Sequence, residues 1–372
     1  KYLLEDAVVR QMVSDDEVPI CTFLSGGIDS SLVSSICASK LKAQGKQLST
    51  YSFDFIGNEK YFKANSFQPS QDAPYAKKMV EYLGTDHKIL KCDYEIQADL
   101  LYESIDSHDL PCMADIDSSL VFFCREVSKN HKVVLTGECA DEVFGGYPWF
   151  HREKFLNCDT FPWTPDLSPR KQLMKTDILE ELNMDDYVRQ AYESAVKEVD
   201  ILPWENKTEA DRRRISYLNI RFFMQTLLNR MDRTSMHSGL EARVPFADKQ
   251  LVQYVFNIPW DMKARNDIVK NILRQAARSR VPDEVLFRKK SPYPKTYNPY
   301  YEKLLIRRLK NDLKNGAPIL EIIDEKKLEV FMEREKDYGA PWYGQLMAGP
   351  QMLAYLIQLN YWLNKYKIKI QI

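Results

Sequence analysis

The sequence turns from an apolar run into a helical pattern at Leu24-Ser25-Gly26-Gly27-Ile28-Asp29-Ser30-Ser31. Residues 20–24 predict a buried strand, and residues 29–42 carry apolar positions at helical spacing. Backbone N–H groups at the start of a helix favour anions, and glycines let that backbone approach a phosphate closely. The three serines add hydroxyl donors. The stretch therefore predicts a phosphate-binding loop, with a turn capped by Asp29 or Ser30 as the simpler alternative.

The segments around this loop predict the fold class. Helical patterns at residues 1–13, 72–84, 95–107 and 115–129 alternate with strand patterns at 48–55, 87–91 and 132–136. This alternation indicates an α/β fold with a doubly wound parallel sheet. Beyond about residue 165 the pattern is largely helical, with strong apolar periodicity at 215–240 and 344–365. We expect a nucleotide-binding core at 1–160 and a mainly helical remainder at 161–372.

Composition excludes several classes of protein. Among the 372 residues, 52 Lys and Arg balance 53 Asp and Glu, which disfavours a nucleic-acid partner. No stretch approaches the roughly 20 apolar residues of a membrane helix, so no membrane partner is expected. The seven cysteines include no Cys-x-x-Cys pair, and the five histidines are few. These counts predict reduced thiols in a cytoplasmic protein, without a zinc site.

A second glycine-containing stretch ends the strand predicted at 132–136, and reads Thr136-Gly137-Glu138-Cys139-Ala140-Asp141-Glu142. Its three carboxylates fall within five residues. Such a cluster repels itself and raises its own pKa values unless a cation is present. Mg²⁺ with phosphate oxygens would suit these ligands, and an acidic helix N-terminus is the alternative. Both stretches follow strands, where ligands bind in parallel sheets.

The two stretches together resemble a known family. The first resembles the PP-loop of the ATP pyrophosphatase superfamily, whose members cleave ATP between the α- and β-phosphates. The second, continued by Val143-Phe144-Gly145-Gly146-Tyr147, resembles the motif of asparagine synthetase synthetase domains. Cys139 stands where the family usually has glycine, so its side chain needs space or a different backbone dihedral. The resemblance extends over residues 1 to about 295 and implies a PP-loop α/β sheet with a helical extension.

The resemblance also implies roles for individual residues. Glu138 would serve acyl-adenylate formation and proton handling, and Lys270 would meet the ATP phosphates. Asp29 and Asp141 would share Mg²⁺. The positions implied to bind ATP or pyrophosphate are Leu24, Ser25, Gly26, Gly27, Asp29, Ser30, Ser31, Phe55, Thr136 and Gly137.

Two further charged segments carry weaker expectations. The charges of Arg230-Met231-Asp232-Arg233 and of Gly239-Leu240-Glu241-Ala242-Arg243, which resemble the family's helical signature, are expected to pair with each other. The run Arg288-Lys289-Lys290 lies beside a Pro/Tyr-rich loop and could flank a pocket.

The activity implied by the resemblance is amidation of aspartate to asparagine, with ATP and Mg²⁺. It would pass through β-aspartyl-AMP and release AMP and pyrophosphate. Alternatives are a β-lactam synthetase or peptide cyclase, a nucleic-acid modifier and a non-catalytic ATP-binding module. In the family, a glutaminase domain supplies ammonia from glutamine, and none fits ahead of the PP-loop. We expect that this domain was removed, or else that the protein uses free ammonia. The aspartate-binding residues and the oligomeric state stay open, with a homodimer as one option.

Overall fold

The computed structural model describes residues 1–15, 17–64, 68–266, 268–333 and 348–371. Its strands are β1 Ile20–Phe23, β2 Ser49–Phe55, β3 Asp86–Cys92, β4 Val133–Leu135 and β5 Glu241–Arg243. All pair in parallel, and they form one sheet in the order β3-β2-β1-β4-β5. From the central β1 the chain adds β2 and then β3 on one side of the sheet. It then adds β4 and β5 on the other side of β1, so the winding reverses between β1 and β4. The predicted doubly wound α/β sheet is confirmed.

Helices account for most of the remaining chain. From the first residue to β5 the α-helices are α1 Tyr2–Gln11, α2 Ile28–Lys42, α3 Asn58–Tyr61, α4 Ala73–Leu83, α5 Tyr94–His108, α6 Asp115–Ser128, α7 Ala140–Phe144, α8 Glu153–Leu156, α9 Ser168–Lys171, α10 Thr176–Leu182, α11 Met184–Val196, α12 Lys207–Leu218 and α13 Gln225–His237. After β5 they are α14 Lys249–Phe256, α15 Trp260–Lys263, α16 Asn271–Ala277, α17 Asp283–Leu286, α18 Pro299–Lys314, α19 Glu325–Glu333 and α20 Gly349–Lys365. The largely helical character predicted beyond residue 165 is confirmed, although residues 344–347 of one predicted helix lie outside the described part. Within the described residues, no helix combines the length and apolar character needed to cross a membrane.

Helices cover both faces of the central strands. Ile20 of β1 and Leu135 of β4 belong to a core that also contains residues of α1 and α2. Cys21 and Val134, one residue along, belong to a second core with Leu120 of α6. Because successive strand residues point to opposite faces, burial on both sides requires the nearly continuous apolar run seen in β1.

The edge strand β5 comes from far downstream in the chain. Ala242 lies opposite Val134 of β4. The Glu241 amide donates to the Lys132 carbonyl at 2.8 Å, and the Thr136 amide donates to the Arg243 carbonyl at 2.9 Å. The sheet therefore takes a strand from beyond residue 160, the predicted end of its core, and this strand was not predicted from the sequence.

The C-terminal helices α18 and α20 pack against α5. Leu101 of α5, Leu305 of α18 and Ile357 of α20 are fully buried in one shared apolar core. The last helix thus contacts helices of the first half of the chain, which ties the helical remainder to the α/β part.

Candidate active site

A cavity of about 680 Å³ opens where β1 and β4 end. Its wall includes residues of the loops that follow these two strands, and residues from distant parts of the chain, among them Arg230, Lys270 and Arg288. The cavity therefore occupies the position at which the winding of the sheet reverses, the usual ligand position in an open α/β sheet.

The loop after β1 is held by its own backbone and serines. The Leu24 amide donates to the Tyr51 carbonyl at 2.8 Å. The Oγ atoms of Ser25 and Ser30 lie 3.0 Å apart and share a hydrogen bond. Helix α2 begins after Gly27, and no side chain caps it. Neither Asp29 nor Ser30 caps the helix, but the Ser30 hydroxyl accepts from the Ser25 amide at 3.2 Å within the turn.

Most of the implied ATP positions lie in the cavity wall, and three do not. The lining positions are Leu24, Ser25, Gly27, Asp29, Ser30, Thr136 and Gly137. Among the others, Gly26 packs against the first turn of α4, and Ser31 is fully buried. Phe55 lies in an apolar cluster with Phe123. The motif pattern could not separate these from their lining neighbours, because strand residues alternate between the two faces and a helix turns only every third or fourth residue toward one side.

Gly137 brings the two loops into contact. A Cβ atom on Gly137 would lie 2.5 Å from the Ser30 amide nitrogen and 2.7 Å from the Asp29 carbonyl carbon, which no real side chain tolerates. Glycine at this position therefore lets the loop after β4 rest on the start of α2, and both loops line one cavity.

Lys270 lies between two of the predicted acidic residues. Its Nζ atom is 2.7 and 2.8 Å from the two carboxylate oxygens of Asp29 and 2.5 Å from Asp141. Only 3% of the side chain is exposed. Lys290 forms a second ion pair with Asp141. The structure thus joins residues 29, 141 and 270, which are far apart in the sequence, in one charged cluster.

This cluster shifts the pKa values of its carboxylates in opposite directions. Burial raises the pKa of Asp29, and the neighbouring Lys270 offsets only part of that effect. Burial also opposes ionisation of Asp141, but Lys270 and Lys290 outweigh it and hold its pKa below the ordinary value. Gly146 makes this packing feasible, because a Cβ atom there would lie 1.7 Å from an Asp141 oxygen. The paired carboxylates are hard oxygen donors, which fits the predicted Mg²⁺ ligands.

Glu138 pairs with Arg230, which was expected to pair with a carboxylate of the two charged segments at 230–233 and 239–243. The guanidinium donates to Glu138 Oε1, and both residues line the cavity. Asp232 and Glu241, the carboxylates of the two segments, are exposed, and Glu241 pairs with Arg243 at 2.8 Å. Burial raises the pKa of Glu138, against the opposing charge of Arg230. Glu138 Oε2 is buried and has no hydrogen-bond partner, so it remains open to a ligand. The need of a buried arginine for a partner was the available signal, but the sequence did not show which carboxylate would supply it.

Cys139 and Glu142 of the acidic stretch also line the cavity. Cys139 has φ +68° and is 2% exposed. It therefore adopts the left-handed conformation that glycine would favour, and its thiol is accommodated in the core. Burial, followed by the charge of Asp141, raises the pKa of Glu142 to about 7. Glu142 accepts a hydrogen bond of 2.6 Å from the Tyr147 hydroxyl.

Arg288 braces the phosphate loop from the far side of the cavity. It pairs with Asp72 at 2.5 Å and donates to the Ser25 carbonyl at 3.2 Å. Asp72 precedes α4 but makes no capping hydrogen bond with its side chain. The guanidinium also lies 4.1 Å from the centre of the Tyr75 ring. The run 288–290 therefore does flank a pocket, as its position beside the Pro/Tyr-rich loop suggested.

Comparisons with known proteins agree with this geometry. The family model described as asparagine synthase matches residues 1–364. Asparagine synthetase [glutamine-hydrolyzing] 3 of Bacillus subtilis is 46% identical over the whole chain, which covers 60% of that protein. Asparagine synthetase [glutamine-hydrolyzing] 1 of the same organism is 28% identical over 90% of the chain and 53% of its own length. Amidase chyE of Penicillium rubens is 27% identical over 79% of the chain and 51% of its own length.

The chain spans roughly half of the length of these curated relatives, from 51% to 60%. The family model matches nearly the whole chain, and the matched residues include both loops, Arg230, Lys270 and Arg288. The chain therefore belongs to the asparagine synthase family.

Proposed function

We propose that this chain is an ATP-dependent ligase that amidates aspartate to asparagine through β-aspartyl-AMP, with release of AMP and pyrophosphate. The observation that carries the proposal is the arrangement of one cavity. Lys270 with Asp29 and Asp141 lies near the phosphate loop, and Glu138 with Arg230 lines the same cavity. Family membership supports the reaction class.

The phosphate loop would hold the departing pyrophosphate. Its serine hydroxyls and the start of α2 offer donors to anionic oxygens. Lys270 would stabilise the negative charge that develops at the α-phosphorus when the aspartate carboxylate attacks it. The residues that fit Mg²⁺ are Asp29 and Asp141, and the cation would neutralise phosphate charge when bound.

Glu138 would act on the nitrogen nucleophile. Ammonia that attacks the acyl carbon must lose a proton, and a carboxylate can accept it when the two are within hydrogen-bond reach. The unpartnered Glu138 Oε2 supplies such an acceptor at the cavity wall. Its raised pKa makes it a stronger base than an ordinary glutamate, and Arg230 keeps the side chain in place.

Isotope transfer tests the adenylate step. Aspartate labelled with ¹⁸O in its side-chain carboxylate is incubated with the chain, ATP, Mg²⁺ and ammonia. The proposal expects one labelled oxygen in AMP and one molecule of asparagine per AMP. Unlabelled AMP together with asparagine would contradict an acyl-adenylate.

A Glu138→Ala variant tests the assigned carboxylate. It should bind ATP as the parent chain does but lose sustained pyrophosphate release. Without the carboxylate that takes the proton from ammonia, the acyl-adenylate is not consumed and turnover stops. Glu180→Ala, which removes an exposed glutamate on α10, serves as the matched control. Turnover equal to that of the control would remove Glu138 from the mechanism.

An intramolecular amide former remains the second candidate. One hydrogen-bonded pair is compatible with it, but both residues belong to the stretch that resembles asparagine synthetases, so the pair does not select ring closure. Ring closers of the β-lactam kind use a tyrosine–glutamate pair to handle the proton, and Tyr147 with Glu142 forms such a pair in the cavity wall. This pair was not identified from the sequence. Pyrophosphate release screened with aspartate and with larger amino acids separates the two candidates. Release that needs a larger substrate and no ammonia would favour ring closure.

A further inference from the structure

We propose that His108, Cys112 and Asp117 form a zinc site outside the ATP cavity. Among the described residues, these three bring potential metal-binding atoms together. A ring nitrogen of His108, the Cys112 sulfur and an Asp117 carboxylate oxygen all lie within 4.8 Å of one another. None of the three lines the ATP cavity. The spacing in sequence gave no sign of this cluster, because it combines one cysteine with one histidine and one aspartate.

The local fold brings the three side chains together. His108 is the last residue of α5, Asp117 lies in the first turn of α6, and Cys112 lies in the reversal between these helices. Asp109 and Ala114 have φ values of +59° and +52°, so left-handed residues turn the chain at both ends of this reversal. The ligands thus come from two helix ends and the loop that joins them.

Two polar atoms of the cluster lack partners although they are buried. Asp117 is 0% exposed, and its Oδ1 atom makes no hydrogen bond, while Oδ2 accepts from the Met113 amide at 2.6 Å. His108 Nε2 is also buried without a hydrogen bond. Burying such polar groups without a partner is unfavourable. A cation bound by the cluster would give the buried Asp117 Oδ1 a partner.

Groups next to the cluster form hydrogen bonds of the kind that orient metal ligands in other proteins. His108 Nδ1 lies 2.9 Å from the Ser104 carbonyl and 2.8 Å from Ser107 Oγ, so an N–H there fixes the ring and leaves the other nitrogen free. Metal-binding histidines usually donate their second nitrogen in this way. Gln358 Nε2 of α20 lies 3.4 Å from the Cys112 sulfur and can donate to a thiolate.

The donor types select zinc rather than magnesium. Nitrogen, sulfur and oxygen ligands suit Zn²⁺, whereas Mg²⁺ prefers oxygen alone. Zinc bonds of about 2.0–2.3 Å place tetrahedral ligands roughly 3.3–3.8 Å apart. The cluster would therefore contract by at most about 1.0–1.5 Å, given its 4.8 Å limit. Three protein ligands leave the fourth position to water.

The site would fasten the reversal between α5 and α6. Met113 lies inside this reversal, lines the ATP cavity, and its sulfur accepts from Arg230 Nη1 at 3.9 Å. Zinc would thus stiffen a loop that backs the Arg230 side of the cavity. This is a structural role, separate from Asp29 and Asp141.

Metal binding to the whole chain tests the proposal. After removal of metals with a chelator, the protein is titrated with Zn²⁺ against a chromophoric competitor and, separately, with Co²⁺. We expect one equivalent to bind, with a rise in Tm and a sulfur-to-cobalt charge-transfer band. Cys112→Ser should lose the band and weaken binding at least about 100-fold.

Two further variants keep the test decisive. Cys158→Ser removes another half-buried thiol, outside the cluster, and should bind as the parent does. His108→Gln should weaken zinc binding even if Cys112→Ser folds poorly, as judged by circular dichroism. Absence of stoichiometric uptake, or equal uptake by Cys112→Ser and the parent, would overturn the site. Neither result bears on the proposed ligase, since pyrophosphate release is not measured.

Discussion

Lys270 illustrates how much of the candidate site depends on a single side chain. It has φ +56°, a conformation that costs an ordinary residue about 1–2 kcal/mol. The ion pairs of its ammonium group with Asp29 and Asp141 offset this cost and the cost of burying the charge. Family resemblance pointed to this lysine, whereas the sequence around it shows only an ordinary basic helix face.

Replacing this lysine should abolish chemistry more than folding. In Lys270→Met, the two carboxylates lose their shared cation, and the developing charge on phosphate loses a stabilising group. We expect pyrophosphate release to fall at least about 100-fold. Lys249→Met, at an exposed position on α14, is the control and should leave the rate unchanged. A Lys270→Met rate within threefold of the control would be incompatible with the assigned role.

Glu142 should make stability depend on pH. Its pKa is about 7 in the folded chain against 4.5 ordinarily, so the folded state binds the extra proton between these values. The free energy of unfolding should therefore fall as pH rises from about 4.5 to 7, by about 3 kcal/mol from this residue. Glu142→Gln does not titrate and should lose this part of the pH dependence.

Urea unfolding at pH 4.5 and pH 8 measures this difference. Relative to the parent, Glu142→Gln should gain stability on going to the higher pH. Glu180→Gln, at an exposed position, should follow the parent at both pH values. Parallel curves for the parent and Glu142→Gln would show that Glu142 titrates normally.

Among the helices and strands, the sequence predicted correctly those in which the apolar spacing extends over many residues. Helix α2 and strand β2 have enough residues for apolar spacing to be read, and both were predicted within one or two positions. Strand β5 has only three residues, of which two are charged. Its strand conformation comes from pairing with β4, a contact between residues more than 100 positions apart, which a local pattern cannot show.

Proline at the start of β5 tests its contribution. Glu241→Pro removes the amide that donates to Lys132, and should lower the free energy of unfolding by about 1–3 kcal/mol. Glu241→Ala keeps the amide and should change stability by less than about 0.5 kcal/mol. Denaturant unfolding of the two variants decides the matter. Equal stability would mean that β5 contributes nothing through its backbone.

On the scale of the whole molecule, no early segment holds a complete site. Arg230, Lys270 and Arg288 reach the cavity from beyond residue 160, and β5 completes the sheet from there. The core shared by α5, α18 and α20 joins the first and last parts of the chain. The sequence pattern predicted the two loops, but it could not place Arg230 or Arg288, because their partners are set by tertiary packing.

The fragment 1–160 should therefore fail to behave as an independent domain. It lacks one strand and exposes the α5 face that α18 and α20 cover in the whole chain. We expect no cooperative urea transition and no binding of a fluorescent ATP analogue, whereas the whole chain shows both. A fragment that unfolds cooperatively and binds the analogue would establish 1–160 as a self-sufficient unit.

The quartet of Asp29, Asp141, Lys270 and Lys290 has two negative and two positive charges, and so carries no net charge. A lone anion entering here finds both ammonium groups already engaged. On the proposed function, a divalent cation that binds the carboxylates would release the ammonium groups for phosphate. Nucleotide and divalent cation should consequently enter as a pair, in an exchange of counter-ions. The site would thus discriminate against free phosphate and metal-free nucleotide before any chemistry begins.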